Sequence, residues 1–324
     1  MTVTIMTGDC RELLKTLPDE SVQCCVTSPP YFGLRDYGVD GQIGLEPTPA
    51  AFVAEMVAVF REVRRALRSD GVLWVNLGDS YSGSRKGVWN VLDERKAAVK
   101  ETCRPSVNPI KVQTGLKPKD LIGIPWRVAF ALQDDGWWLR QDIIWSKPNP
   151  MPESVIDRCT KAHEYLFMLT KSAKYYYDAA SITEDAVSTD VKKFTDGGKD
   201  KHRGHGRRHS GFNGRYADKL AIEGVPATRN RRSVWQIATK PFSEAHFATF
   251  PPELPEICIK AGSREGDTVL DPFGGAGTTG LVADRLGRNA ILCELNPEYA
   301  AMADQRITVD APLFATPTVN PVQP

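Results

Sequence analysis

The chain lacks the features that assign many proteins of 324 residues to a special class. None of its 7 cysteines forms a Cys-x-x-Cys pair, and most lie in apolar runs, which favours buried free thiols in a reducing cytosol. No apolar run approaches the roughly 20 residues that span a bilayer, and no basic-plus-apolar signal segment opens the chain. We therefore expect a cytoplasmic protein that does not contact the membrane.

Net charge is also small, since 41 Lys and Arg are balanced by 40 Asp and Glu. The charge is unevenly placed: the stretch 192–232 holds twelve basic and four acidic residues, and the rest of the chain is acidic. A basic block on an acidic body indicates a polyanion-binding element, with a solvated loop as the alternative. Its three histidines, at 202, 205 and 209, are too weak a pattern to predict a metal site.

Hydrophobic periodicity predicts alternating strands and helices. The predicted strands are 3–6, 22–26, 72–77, 137–145, 163–170, 233–237, 268–273 and 290–295. The predicted helices are 11–17, 49–70, 121–132, 252–260, 278–286 and 297–307, with Asp9 and Thr48 as caps of the first two. This pattern indicates an α/β fold, a Rossmann-like, mostly parallel sheet with helices on both faces and polar insertions.

The stretch Ser28–Tyr31 follows the second predicted strand and reads Ser-Pro-Pro-Tyr. Two prolines forbid a helix and fix an extended exit from the strand, at the edge where α/β sheets bind ligands. The Ser28 side chain and the Pro29 carbonyl are suited to accept the two hydrogens of an exocyclic amine, and Tyr31 is suited to stack on a base flipped out of a duplex. The alternative is a Pro-Pro turn with Tyr31 as ordinary packing.

The Ser-Pro-Pro-Tyr motif resembles the catalytic motif of the DNA amino-methyltransferases, which modify N4 of cytosine or N6 of adenine. Two further segments, Leu139–Asn149 and His163–Ser172, are similar to strands that close the sheet beside the target base in that family. The resemblance implies that Ser28, Pro29, Pro30 and Tyr31 are the catalytic residues. It also makes Trp145 and Lys147 candidates for the pocket wall, with core packing and surface charge as the alternatives.

A glycine-rich segment near the C-terminus, Gly274–Gly280, lies between a predicted strand and a predicted helix, and Glu294 ends the next strand. This spacing fits a dinucleotide fingerprint, in which the acid binds ribose hydroxyls, so a nicotinamide-dependent oxidoreductase is an alternative. The preceding Asp271-Pro272-Phe273 instead looks like the methyl-donor motif of the amino-methyltransferases. The order of motifs, catalytic first and donor last, is that of the circularly permuted group of this family.

The resemblance implies S-adenosylmethionine as the cofactor. It assigns the methionine part of the donor to Asp271, Phe273, Gly275 and Gly277, the ribose to Glu294, and the surroundings of the adenine to Asp9. The segment 246–251 is similar to one that lines the donor pocket. The full set of expected donor-binding residues is Asp9, Thr249, Phe250, Asp271, Phe273, Gly275, Gly277, Thr278 and Glu294.

Four regions are expected. Residues 1–185 form the catalytic half of the domain, with a surface insertion at 80–118, and residues 233–309 form the donor-binding half of the same domain. Residues 186–232 form a basic target-recognition region that binds DNA through Arg203, Arg207, Arg208 and Arg215. Residues 310–324 are a disordered, proline-rich tail.

Together these features predict a site-specific DNA methyltransferase that acts on N4 of cytosine in duplex DNA after base flipping. Serine at the first motif position favours cytosine, with N6 of adenine as the alternative. A catalytically silent DNA-binding module is the third reading, opposed by the two intact motifs. The resemblance also allows a homodimer and a separately encoded cognate restriction endonuclease, and the sequence decides neither.

Overall fold

The computed structural model describes residues 1–83, 114–186, 227–240 and 250–310, and the backbone of 318–321. Within these ranges the helices are α1 Cys10–Leu13, α2 Pro49–Ala66, α3 Ile124–Asp134, α4 Glu253–Gly262, α5 Thr278–Arg285 and α6 Pro297–Asp310. The strands are β1 Val3–Thr7, β2 Val22–Thr27, β3 Leu67–Leu77, β4 Trp138–Ser146, β5 His163–Thr170, β6 Glu184–Asp185, β7 Thr228–Arg229, β8 Val234–Gln236, β9 Thr268–Asp271, β10 Asn289–Glu294 and β11 Thr318–Pro321.

A nine-stranded sheet in the order β11-β1-β10-β9-β2-β3-β5-β4-β8 carries the fold. All neighbours pair in parallel except β5, which is antiparallel to both β3 and β4. The expected mostly parallel sheet is therefore confirmed. Strands β2 and β9 are neighbours although they come from opposite ends of the sequence, so the two segments that follow them meet at one edge.

Helices cover both faces of the sheet, as expected. On one face α2 packs against α1 and α3, and on the other α5 packs against α4 and α6. The apolar stripe of α2 is wholly buried, and it shares one core with alternate residues of β2 and β3. All six residues of β2 are buried, including the polar Gln23 and Thr27, so its sequence does not alternate between apolar and polar residues as in a strand with one exposed face.

The prediction that the second helix runs to Asp70-Gly71 is wrong. Helix α2 ends at Ala66, where Leu67 turns to extended backbone with φ −68° and ψ 141°. Leu67 then opens β3 and pairs with Val22. The error arose because Leu67 is fully buried in either conformation, so its apolar side chain fits the helical period as well as a strand.

Two other expectations need correction. Residues 318–321 of the tail, expected to be disordered, form β11 and pair in parallel with β1. Cys159 is exposed, whereas Cys10, Cys24, Cys25, Cys258 and Cys293 are the expected buried thiols. Most of the expected surface insertion, residues 84–113, lies outside the described ranges.

A second compact unit comprises residues 179–232. Its described part contains a 3-10 turn, Ala180–Ile182, and the antiparallel pair β6–β7. Glu184 accepts hydrogen bonds from Arg229 and Arg232 within it. The expected recognition region, 186–232, falls within the bounds of this unit, and its function stays a prediction. Among the described residues, no helix is both long and apolar enough to cross a membrane.

Candidate active site

The segment Ser28–Tyr31 follows the carboxyl end of β2 and is neither helix nor strand, as expected from its two prolines. Pro29 is buried, while Ser28, Pro30 and Tyr31 are partly exposed. No donor from the described part of the chain hydrogen-bonds the Pro29 carbonyl. A serine hydroxyl, a carbonyl oxygen and one aromatic ring are thus presented side by side.

A polar network lies behind this segment. The Tyr31 hydroxyl donates to Glu164 Oε2 at 2.6 Å and lies 3.2 Å from Asn76 Oδ1. The Ser28 hydroxyl donates to the same Asn76 oxygen at 3.3 Å. Asn76 is 1% exposed, and its Nδ2 donates to the Tyr165 carbonyl at 3.1 Å, which fixes the orientation of the amide. Both hydroxyls of the motif are therefore held by residues of β3 and β5.

Glu164 also pairs with Lys147, which donates to its Oε1. The ammonium group of Lys147 lies 4.3 Å from the centre of the Trp145 ring. Trp145 is 3% exposed and donates its Nε1 to the Ile237 carbonyl at 2.8 Å, so it packs in the core and does not form a pocket wall. Burial, and then the charge of Glu164, raise the pKa of Tyr31 well above its ordinary value, which keeps the phenol neutral.

Gly78 lies directly behind the Tyr31 ring. A Cβ at this position would lie 2.3 Å from Tyr31 Cε2, closer than any real side chain allows. The absence of a side chain at residue 78 therefore sets the plane of the ring. Gly78, Asn76 and Glu164 were missed in the sequence, although a polar residue at the end of the apolar strand β3 is a signal that could have identified Asn76.

The glycine-rich segment after β9 is shaped by close packing. Gly277 has φ +74°, and a Cβ there would lie 2.8 Å from that of Ala303. A Cβ at Gly280 would lie 2.8 Å from Leu292 Cδ1. Arg306 of α6 donates from Nη1 to both the Ala276 carbonyl and the Thr278 hydroxyl, each at 2.9 Å. The segment is thus held between α6 and β10.

Asp271 joins this segment to the catalytic one. It is 1% exposed, and it accepts hydrogen bonds from the hydroxyls of Thr27 and Thr279, each at 2.6 Å, and from the Phe273 amide at 3.0 Å. Burial raises its pKa, against the effect of these donors. Since both carboxylate oxygens are engaged internally, Asp271 positions the segment Phe273–Thr278, called the donor loop below, and its direct contact with a ligand stays a prediction.

Glu294 keeps part of its carboxylate available. Its Oε2 accepts from the Gly275 amide at 2.7 Å and its Oε1 from the Asn296 amide at 2.8 Å. The Leu295 amide also interacts with this carboxylate, which has about four acceptor sites, so acceptor capacity remains for a ribose hydroxyl. The side chain is partly exposed, and burial raises its pKa. Glu294 therefore fits the ribose of a nucleoside cofactor.

Asp9 caps α1, as expected, by accepting from the Arg11 amide at 2.8 Å. Both of its oxygens also accept from the Arg11 guanidinium, which in turn donates to the Gly41 carbonyl. Asp9 therefore anchors the loop that follows the catalytic segment. A direct contact with adenine stays a prediction.

That loop places Tyr37 against Tyr299 of α6, with the rings edge to face at 6.5 Å. Burial raises the pKa of both phenols, and the Glu294 carboxylate raises each further, whereas Arg35 acts in the opposite direction. Tyr37 and Tyr299 are therefore close enough to Glu294 and Arg35 to feel the charges of both. Sequence reasoning missed the two tyrosines.

The remaining expected residues have different outcomes. Phe273, Gly275 and Thr278 lie in the donor loop as expected, and Phe250 is partly exposed in the segment that precedes α4. Thr249 and the four predicted DNA-binding arginines, Arg203, Arg207, Arg208 and Arg215, lie outside the described ranges, as do the histidines of the basic block.

Comparison with known proteins supports the resemblance. The model of a DNA methylase family, that of the N6- and N4-methyltransferases, matches residues 22–305. This chain belongs to that family. It is 48% identical to type II methyltransferase M.Cfr9I of Citrobacter freundii, over 94% of this chain and 87% of the relative. It is 47% identical to type II methyltransferase M.SmaI of Serratia marcescens, over 94% of this chain and 90% of the relative.

Solved structures show the same fold. The PvuII DNA methyltransferase, described as cytosine-N4-specific, aligns with a TM-score of 0.59 at 21% identity, over 95% of this chain and 92% of that one. The protein TTHA0409 of Thermus thermophilus, in complex with S-adenosyl-L-methionine, aligns with a TM-score of 0.57 at 24% identity, over 98% and 99% of the two chains. The methyltransferase fold is confirmed, and S-adenosylmethionine is the cofactor of this family.

Proposed function

We propose that the protein is a DNA methyltransferase that transfers a methyl group to the N4 amine of a cytosine flipped out of duplex DNA. The observation that carries the proposal is the hydrogen bond between Thr27 and Asp271, 2.6 Å long, which joins the end of β2 to the end of β9. These two residues are 244 positions apart in sequence, and they precede the catalytic segment and the donor loop at one edge of the sheet. An amine on the catalytic segment is thereby brought next to a donor in the loop.

S-adenosylmethionine supplies an electrophilic methyl group on a sulfonium, which leaves as the neutral thioether when the amine nitrogen bonds to the carbon. In the proposed site, Glu294 and the donor-loop glycines hold the cofactor. Ser28 and the Pro29 carbonyl accept the two amine hydrogens and so favour tetrahedral geometry at nitrogen, which frees its lone pair. Tyr31 stacks on the base. The methylated amine then loses one proton to solvent, so no covalent enzyme intermediate is required.

The buried cysteines Cys10, Cys25 and Cys258 do not take part in the proposed chemistry. Burial raises the pKa of Cys25 and Cys258 well above the ordinary value, and it raises that of Cys10 to about 12. A thiol becomes a nucleophile as its thiolate, so these side chains are unreactive at neutral pH. Direct attack by the amine fits a site that contains hydroxyl and carbonyl oxygens.

Cytosine is favoured over adenine on two grounds. The first position of the motif is Ser28, which in the resembled family goes mostly with N4 of cytosine. The PvuII enzyme, whose fold this chain shares, is described as cytosine-N4-specific. The type II relatives of 47–48% identity support a role in DNA modification. The proposed substrate is duplex DNA, and the proposed DNA-binding region is 186–232.

Product analysis tests the proposed base. Purified protein is incubated with S-adenosylmethionine and unmethylated duplex DNA, which is then digested to nucleosides and analysed by mass spectrometry. We expect N4-methylcytosine. N6-methyladenine would overturn the choice of base but keep the mechanism, and the absence of any methylated nucleoside on DNA of varied sequence would overturn the proposed function.

A further inference from the structure

We propose that Glu164 and Asn76 set the direction of the hydroxyl protons in the catalytic segment, so that Ser28 presents only acceptor lone pairs to the target base. This inference deepens the proposed function and rests on it. Neither residue needs to touch the substrate, because each acts through a hydroxyl of the motif. They are positioning residues.

The first step of the argument concerns Tyr31. Its hydroxyl has one proton and two acceptors for it, Glu164 Oε2 at 2.6 Å and Asn76 Oδ1 at 3.2 Å, while the Ser28 hydroxyl also lies close to the phenol oxygen and can only donate to it. The carboxylate is both closer and charged, and charge-assisted hydrogen bonds are shorter and about twice as strong as neutral ones. The Tyr31 proton is therefore committed to Glu164.

The second step concerns Asn76. Its amide nitrogen donates to the Tyr165 carbonyl, so the amide oxygen is fixed toward Ser28 and Tyr31. With the Tyr31 proton directed to Glu164, this oxygen is left to accept the Ser28 proton. The lone pairs of Ser28 then face away from the network, where they accept a hydrogen from an amine. A hydroxyl that pointed its proton outward would oppose an N–H group.

The third step concerns Lys147, which makes a sharp test available. Lys147 donates to Glu164 Oε1, while Oε2 serves Tyr31. In Glu164→Gln the amide oxygen must face the lysine, so the amide NH₂ faces the Tyr31 oxygen. The Tyr31 proton then turns to Asn76 and displaces that of Ser28. The substitution changes neither volume nor backbone, but it reverses the direction of both hydroxyls.

The experiment measures single-turnover methyl transfer to duplex DNA and the affinity for S-adenosylmethionine in four variants. We expect Glu164→Gln to slow transfer about a hundredfold, as when one positioned hydrogen bond to the reacting group is lost, with donor affinity unchanged. In Tyr31→Phe the Asn76 amide oxygen still accepts the Ser28 proton and has no competing hydroxyl, so this variant should slow transfer less than about tenfold. The control, Glu12→Gln, makes the same change at an exposed Glu–Lys pair and should leave the rate unchanged.

The double variant, Tyr31→Phe with Glu164→Gln, distinguishes an effect of Glu164 on the direction of the hydroxyl protons from a purely structural role of Glu164. Without the Tyr31 hydroxyl there is no proton to redirect, so the double variant should be as fast as Tyr31→Phe and faster than Glu164→Gln. If Glu164→Gln transfers at the wild-type rate, or if the double variant is as slow as Glu164→Gln, the proposal is wrong. If Glu164→Gln does not fold, the proposal is also contradicted when the double variant transfers methyl groups as slowly as Ser28→Ala does. If the wild-type protein itself transfers no methyl group to DNA, the proposed function is wrong, which is a different outcome from failure of this inference.

Discussion

At the scale of single residues, the absence of a side chain at Gly78 makes room for the Tyr31 ring. The Tyr31 ring lies where a Cβ of residue 78 would be, 2.3 Å from Cε2. Gly78→Ala must therefore tilt or displace the ring on which the target base is proposed to stack. We expect methyl transfer to fall by at least tenfold while donor affinity, measured by calorimetry, stays within about twofold, because the donor loop is not touched.

A second glycine supplies the control for that substitution. Gly266 has φ +82° and nothing within 4 Å of an added Cβ. Gly266→Ala should lower the free energy of unfolding by about 1–2 kcal/mol through backbone strain, yet leave methyl transfer unchanged. If Gly78→Ala retains full activity, the fixed plane of Tyr31 is not needed for transfer.

The buried Asp271 carboxyl group lowers the free energy of unfolding by an amount that depends on pH. Burial raises its pKa above the ordinary value of 3.8, so the free energy of unfolding falls as the pH rises from the unfolded pKa to the folded pKa, because the unfolded chain ionises more readily. This reduction is absent below the unfolded pKa and complete above the folded one. We expect the free energy of unfolding of the wild-type protein, measured relative to Asp271→Asn by urea denaturation, to increase as the pH is lowered from 7 toward 4. A difference that does not vary with pH would refute this assignment.

Some residues of the site could be predicted from the sequence and others could not. The Asp9 cap was predictable because it depends on residues two positions away, and Ser28–Tyr31 and Gly274–Gly280 because each is a contiguous motif. Asn76 and Glu164 were not, since they reach Tyr31 from 45 and 133 positions away. Such contacts follow from the strand order, which local periodicity does not contain.

At the scale of elements, the donor loop depends on a brace from α6. Arg306 donates to both the Ala276 carbonyl and the Thr278 hydroxyl. We expect Arg306→Ala to weaken S-adenosylmethionine binding about tenfold, the equivalent of one or two hydrogen bonds. Arg285→Ala is the matched control, because the Arg285 guanidinium pairs with Asp310 at the other end of α5 from the loop. Equal affinities of the two variants, measured by calorimetry, would contradict a bracing role.

The strands were easier to predict than their arrangement. The strands β2, β5 and β9 are short and mostly apolar, so each was recognisable within a few positions. The pairing of β2 with β9 could not be predicted. Parallel neighbours are linked by crossover connections, and the local sequence pattern does not show which strands become neighbours. That pairing is what brings the catalytic segment to the donor loop.

At the scale of the whole molecule, the basic region can be removed at a defined point. The Ala186 amide donates to the Ala227 carbonyl at 2.9 Å, beside the antiparallel pair β6–β7. Residues 187–226 can therefore be replaced by a two-residue Asn-Gly turn, which suits a hairpin. We expect the shortened protein to bind S-adenosylmethionine normally and to lose DNA affinity, measured by fluorescence anisotropy.

The salt dependence of DNA binding provides the control for the deletion. Replacing Arg203, Arg207, Arg208 and Arg215 with alanine in the full chain should reduce the slope of log K against log salt by about 0.9 for each phosphate that is no longer neutralised. An unchanged slope in this variant, together with undiminished DNA affinity after the deletion, would show that the protein binds DNA through another surface.

The most direct test of the central claim, that the segment Ser28–Tyr31 and the donor loop form one methyl-transfer site, is the single-turnover rate of Ser28→Ala beside its donor affinity. Ser28 is proposed to accept a hydrogen from the amine without touching the cofactor. We predict a rate about 10²–10³-fold below wild type, the cost typical of one hydrogen bond that orients a reacting group, with unchanged affinity for S-adenosylmethionine. A wild-type rate in Ser28→Ala would show that the reaction takes place elsewhere.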